Sequence, residues 1–245
     1  MKTAHLTLFV LCIVSLLFTS CSDNYADARK DLLSAAIISN DDLIRTSKEM
    51  RAVGDSTNKI APAGSEYERR LARLTDSLKR EDGLDLNFKV YVSKEVNANA
   101  TADGSIRIYS SLMDMMSDDE LFYIIGHEIG HIKLGHVIKS VRTAYISSGL
   151  IKAAGASSTS IGTLTNSQLG DLLHTVINAQ YSQKAEYEAD NYGYTLMKKY
   201  KRDTMATVTA LRKIEALGQS GSILSSHPDS ADRAKRLESL IRNEK

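Results

Sequence analysis

An α+β fold, predominantly helical and with a small β-sheet beside one buried helix, is what this chain of 245 residues predicts. Three observations carry that prediction. Most segments repeat their apolar residues at the spacing of an α-helix, while two short ones alternate in the period-2 manner of strands. After those strands comes His127-Glu128-Ile129-Gly130-His131, an H-E-x-x-H pattern led in by the apolar run Leu121-Phe122-Tyr123-Ile124-Ile125. About 225 residues beyond the leader suit one globular domain.

The N-terminus has one basic residue, Lys2, then an apolar core from Leu6 to Phe18, then Thr19-Ser20 before Cys21. That layout is a secretory signal peptide of the lipoprotein type over residues 1–20, with Cys21 as the lipidated N-terminus of the mature chain. An uncleaved membrane anchor is the alternative, but the apolar run is short of the roughly 20 residues a span needs. Cys12 leaves with the leader and Cys21 carries the lipid, so no disulfide forms within the mature chain. Without Lys2, 30 of the 31 basic residues face 30 acidic ones, a balance that gives no reason to expect nucleic acid as a partner.

Residues 31–50 read as an amphipathic helix and 65–78 as another, opened by a Ser65/Glu68 capping box. Phe88-Lys89-Val90-Tyr91-Val92 and Ser105-Ile106-Arg107-Ile108-Tyr109 read as strands, separated by an Asn/Ala/Asp/Gly stretch able to turn the chain. Ser117-Asp118-Asp119-Glu120 is a second capping box, opening the motif helix, and Ile129, Ile132 and Leu134 continue its apolar positions. Residues 153–162 are small and polar, compatible equally with a lid over a cleft and with a floppy connector. Residues 203–217 form a third amphipathic helix. A last one has apolar positions at Ala234, Leu237, Leu240 and Ile241, with Asp229 or Ser230 as its cap.

The motif's chemistry follows from helical geometry. Residues four apart fall about 40° apart around the axis, so His127 and His131 point side by side at one ion. Zn²⁺ takes neutral imidazole nitrogens, keeps one position open for water and lowers that water's pKa to about 7. Glu128 projects beside the ion as the base. The plainer reading makes these two core histidines satisfied by backbone carbonyls, whereas a metal supplies one partner for both buried side chains. A metzincin-type third histidine would need Gly and His where the chain has Leu134 and Val137. The remaining common choice is a Glu on a later helix, and Ala185-Glu186-Tyr187-Glu188-Ala189-Asp190 offers Glu186, 55 residues beyond His131. Asp190 shares its helix face and can hydrogen-bond a ligand histidine's far nitrogen. Glu188 points about 200° away and reads as a solvated surface charge.

Four motifs in one order, Val96 to Ala100 with Gly104 to Tyr109, His127 to His136, Glu186 to Asp190, and His227-Pro228 with Arg233, resemble the HtpX, Oma and CAAX-prenyl-protease-like family of gluzincin zinc metallopeptidases (family M forty-eight), in its soluble bacterial periplasmic lipoprotein form. The resemblance spans residues 86–240. It implies a zincin-like catalytic core there, within a single metallopeptidase domain of residues 21–245 whose N-terminal helical part covers 26–80. It implies one Zn²⁺ per chain on His127, His131 and Glu186. It implies that Asn97, Ala98, Asn99 and Ala100 run along the cleft and grip an extended substrate by β-augmentation, an ordinary sheet edge being the alternative. It places His227 and Arg233 near the metal: His227 as an oxyanion stabiliser or as the occupant of the open zinc position at rest, Arg233 as a brace. His136 falls at a position often His in the family.

The expected activity is zinc-dependent hydrolysis of peptide bonds in misfolded or misassembled cell-envelope proteins. A lipoprotein chaperone or assembly-binding module on the same fold, with proteolysis latent, is the alternative. Expected partners are unfolded protein or peptide substrates and, through the N-terminal lipid, a membrane. Ser22 after Cys21 favours the outer membrane, with the domain in the periplasm. The sequence sets no oligomeric state.

Overall fold

The computed structural model describes residues 38–150, 161–218 and 222–244. The leader, Cys21 and most of the small, polar stretch expected as a lid or connector lie outside the described residues. Helix α1 spans Asn40–Thr57, with Ser39 as N-cap accepting from the Asp42 N–H and two aspartates in the first turn, where the helix dipole favours them. Of the helix expected over residues 31–50, residues 31–37 lie outside the described residues; α1 is capped by the Ser39 side chain, and it runs past Met50 because Gly54 continues the buried stripe of Leu43, Ser47 and Met50. Helix α2 (Glu66–Thr75) continues into a 3₁₀ turn at Asp76–Leu78. Only half of its expected capping box forms: Ser65 accepts from the Glu68 N–H, but the Glu68 carboxylate takes the Gly64 N–H. The Ser65 N–H is already bonded to Pro62 O.

Both expected strands are present, β1 at Asn87–Tyr91 and β3 at Ser105–Tyr109, and they pair in parallel. The stretch between them does more than turn. Ala98–Ala100 forms β2, antiparallel on the far side of β3, so the order is β1-β3-β2 and β2 is the edge strand nearest the motif helix. Gly104, at φ 88°, closes the β2–β3 turn, where an added Cβ would meet Asp85 O at 2.0 Å. Arg107, on the central strand, is 1 % exposed. Asp55 at the end of α1 neutralises it.

After the short helix α3 (Ser110–Met115), helix α4 (Asp118–Lys133) carries the motif, and both halves of its Ser117/Glu120 capping box form. It ends one residue before Leu134, which is exposed and does not continue the apolar face. Gly135 at φ 75° then turns the chain into α5 (His136–Ser147). Helix α6 (Asn166–Ile177) packs on α1 and α5, and α7 (Gln183–Lys199) packs along α4. Helix α8 (Ala206–Ala216) starts later than expected, because the Asp203 carboxylate accepts from the Met205 N–H in a preceding turn. The short α9 (Ser222–Ser226) precedes α10 (Ser230–Asn243), whose buried face contains Ala234, Leu237 and Ile241. The expected cap of α10 does not form. Asp229 occupies the N-cap position at φ 62°, outside the extended geometry that aims a capping side chain, and the Ser230 hydroxyl is buried without a hydrogen-bond partner. No helix among the described residues is long and apolar enough to cross a membrane.

The α4–α7 contact positions the site, and glycines set its closeness. A Cβ on Gly193 would lie 3.2 Å from the His127 backbone N and from the Tyr123 ring, and one on Gly130 would lie 3.1 Å from the Ala189 Cα. Gly193→Ala is therefore expected to lose about 1–3 kcal/mol by overpacking. Gly170→Ala, with its Cβ 3.9 Å from Val53, should be neutral or stabilising. Urea unfolding of the two variants checks the pair; equal effects would mean that the crossing tolerates a methyl.

Candidate metal centre

Helix α4 delivers His127 and His131 from one face, and α7 delivers Glu186 and Asp190 from the facing one. The turn before α10 delivers His227, and the first turn of α10 delivers Arg233. His127, His131, Glu186 and His227 are buried, and their ligand atoms lie within 4.8 Å of one another, a group able to hold a metal ion. His127 Nε2 is 3.0 Å from His131 Nε2 and 3.2 Å from His227 Nδ1. Glu186 Oε1 is 3.0 Å from His227 Nδ1 and 3.4 Å from His131 Nε2. A neutral imidazole has one N–H, so ring nitrogens facing one another cannot all be satisfied among themselves. A cation at their centre satisfies every lone pair.

The surrounding groups fix this arrangement. Asp190 Oδ1 lies 3.0 Å from His127 Nδ1 and accepts the Tyr123 hydroxyl at 2.7 Å. Arg233 donates to both Asp190 oxygens, from Nε at 2.9 Å and Nη2 at 2.6 Å. Its Nη1 lies 2.5 Å from Glu186 Oε2, a charge contact without hydrogen-bond geometry, so that buried oxygen has no hydrogen-bond partner within the chain. Burial would raise the Asp190 pKa, but Arg233 holds it below the usual carboxylate range. Burial likewise works against an ionised Glu186, and His227 and His127 override it in the same direction. For His127, burial and Arg233 oppose a positive charge, yet Asp190 and Glu186 outweigh them and push its pKa up to about 9. Burial drives His131 well below the ordinary histidine value. The centre is ionised on its carboxylate side, and of the two α4 histidines His127 favours a positive charge while His131 is held neutral.

Glu128 is 3 % exposed, with Oε1 3.4 Å from His227 Nε2. It stands beside the donor group and outside it. Asn97, Ala98, Asn99 and Ala100 are buried on and beside β2, and their side chains do not join the cluster. Asn97 Oδ1 accepts the Ala98 N–H, and Asn99 Oδ1 accepts from Arg51 Nη2 at 2.8 Å. The Tyr109 N–H bonds to Asn97 O and the Thr101 N–H to Ser105 O, so Ala98 and Ala100 turn their peptide groups to the outer edge. Sequence reasoning missed three contributors. Tyr123, four residues before His127 on the same face, was detectable from its spacing. Tyr181 stacks on the His131 ring at 3.9 Å between centroids, and its N–H bonds to Ser226 O. Glu188 is not simply solvated: its Oε2 lies 3.2 Å from His136 Nε2.

A buried two-histidine, one-glutamate donor set with a carboxylate beside it, on crossed helices flanked by a small sheet, defines a metallopeptidase. The pattern of Peptidase family M48 matches residues 65–241, and the chain belongs to that family. It is 42% identical over 186 residues to the metalloprotease LoiP of Escherichia coli (strain K12), covering 75% of this chain and 74% of LoiP. It is 35% identical to the metalloprotease YcaL of the same organism, covering 98% of each chain. The crystal structure of S. mikatae Ste24p aligns at a TM-score of 0.45 and 20% identity, covering 78% of this chain and 55% of that one. The protein is a metal-dependent endopeptidase.

Proposed function

We propose that this peptidase uses Zn²⁺ and cleaves misfolded or misassembled cell-envelope proteins from a lipid anchor on the periplasmic side of the outer membrane. The spacing of the donors carries the choice of metal. Tetrahedral zinc bonds of about 2.0–2.1 Å set ligand atoms roughly 3.3–3.4 Å apart. Four of the donor pairs on His127, His131, Glu186 and His227 lie 3.0–3.4 Å apart, and the whole group falls within 4.8 Å. Bound there, Zn²⁺ supplies Lewis acidity toward a peptide carbonyl and acidifies water.

The chain's own residues do the rest. Glu128 takes the proton of the attacking water on a carboxylate oxygen and returns it to the leaving amine. Asp190 accepts the His127 Nδ1–H and keeps Nε2 free to ligate, and Arg233 holds Asp190 ionised while lying against Glu186 Oε2. His227 stands with Nδ1 toward Glu186 and Nε2 toward Glu128, the placement of a residue that fills the fourth position at rest. Released, it is a donor for the developing oxyanion. The outward carbonyl of Ala98, whose N–H is taken by Asn97 Oδ1, and the outward peptide group of Ala100 suit an extended chain laid along the sheet edge, which reads little sequence and therefore favours unfolded segments. Cys21 supplies the anchor.

Casein hydrolysis tests the reading. A strong chelator should abolish it and stoichiometric Zn²⁺ restore it, with one zinc per chain by elemental analysis. Restoration by another divalent ion alone would sink the zinc assignment. A Cys21→Ser variant should leave the membrane fraction and become soluble in the periplasm.

A further inference from the structure

His127 has a carboxylate on its far nitrogen; His131 does not. Its Nδ1 instead lies 3.1 Å from Nδ1 of His136, whose Nε2 lies 3.2 Å from Glu188 Oε2. On an unbroken helix, residues five apart would stand about 140° apart and could not meet. The left-handed Gly135, at φ 75°, ends α4 and starts α5 at His136, folding that ring back onto His131. Glu188 reaches the same ring from α7, two residues beyond Glu186.

We infer that His136 and Glu188 are positioning residues that hold His131 in its ligating tautomer. The inference rests on the reading of His131 as a metal ligand. Its Nε2 faces Glu186 Oε1 and His127 Nε2, so Nε2 must carry the lone pair and Nδ1 the proton. The nitrogen facing that proton is His136 Nδ1, which therefore accepts. The His136 proton then sits on Nε2, facing the Glu188 carboxylate. One placement of protons satisfies all three contacts, and it runs carboxylate, imidazole, imidazole, metal. Tyr181, stacked on the His131 ring at an interplanar angle of 22°, fixes its plane while His136 fixes its tautomer. The two ligand histidines are thus held differently: His127 directly by Asp190, and His131 through an added imidazole to a carboxylate that is 43 % exposed.

Competition titration of Zn²⁺ against a chromophoric chelator tests this. His136→Phe, which keeps a ring but no acceptor, should weaken zinc binding by about 10- to 100-fold. His136→Gln, whose side-chain carbonyl can accept from His131 Nδ1–H, should restore most of that affinity. Glu188→Ala, at a partly exposed position that does not endanger folding, should show a smaller loss. ¹⁵N-detected imidazole spectra of the zinc-loaded wild type should show His136 as the Nε2–H tautomer. Wild-type affinity in both His136→Phe and Glu188→Ala, or a His136 proton on Nδ1, would overturn the inference alone. Failure of the wild type to take up zinc would overturn the zinc reading with it.

Discussion

Glu128→Gln should lower kcat/KM on an unfolded protein substrate by about 100- to 10,000-fold while zinc content stays at one per chain, because general-base catalysis contributes on that order. Gln is nearly isosteric with Glu and can still face His227 Nε2, which lies 3.4 Å from the carboxylate. The packing of a side chain that is 3 % exposed is therefore retained. What disappears is the ability to take a proton and return it. Substrate affinity should change little, so the loss should fall on kcat. The measurement is single-turnover cleavage of a fluorogenic peptide beside elemental analysis of the same preparation. Activity above a tenth of wild type with full metal would show that another group accepts the proton.

The parts of the site legible in the sequence are those held by one helix at a time. His127, Glu128 and His131 are fixed by i, i+1, i+4 spacing, and Glu186 with Asp190 by i, i+4, so periodicity alone groups each set on its own helix. His227 and Arg233 have no such signal and were reached through resemblance; the chain brings His227 100 positions back to His127 through tertiary packing. Ala-Asn-Ala is a poor strand former, and β2 is held by its pairing with β3 and its contact with α4, with Ala98 and Ala100 buried. The His136 contact depends on a helix break whose geometry no periodicity reports. The capping expectation at Asp229 failed for a related reason: the residue type was suitable and its backbone was not.

The ion cluster behind the sheet illustrates the same limit, and its loss should be the largest single cost in stability. Asp55 accepts from Arg107 Nε at 2.8 Å and Nη2 at 2.9 Å, from Lys89 Nζ at 2.7 Å and from the Tyr91 hydroxyl at 2.7 Å. Among the described residues, Asp55→Ala leaves the Arg107 guanidinium with only the Asn87 and Ile106 carbonyls as hydrogen-bond partners. Stranding a buried charge in this way costs about 3–5 kcal/mol, and the partial exposure of Asp55 places this site near the lower end. Burial opposes the Asp55 charge, but Arg107, Lys89 and Tyr91 more than offset it, so its folded pKa lies below the usual carboxylate range. A depressed carboxylate pKa stabilises the fold above its unfolded value of about 3.9, and that stabilisation is lost as pH falls toward the folded value. The stability gap between wild type and Asp55→Ala should therefore be full at pH 7 and narrow as pH falls below about 4, by up to about 1.4 kcal/mol per pH unit. Asn99 lies opposite Arg107 across the β2–β3 ladder, so the same variant should loosen the edge strand and raise KM more than it lowers kcat. Urea unfolding across that pH range decides the matter. A gap that stays flat from neutrality to pH 3 would mean the carboxylate acts through its volume and hydrogen bonds, with the Arg107 charge solvated by the peptide carbonyls around it.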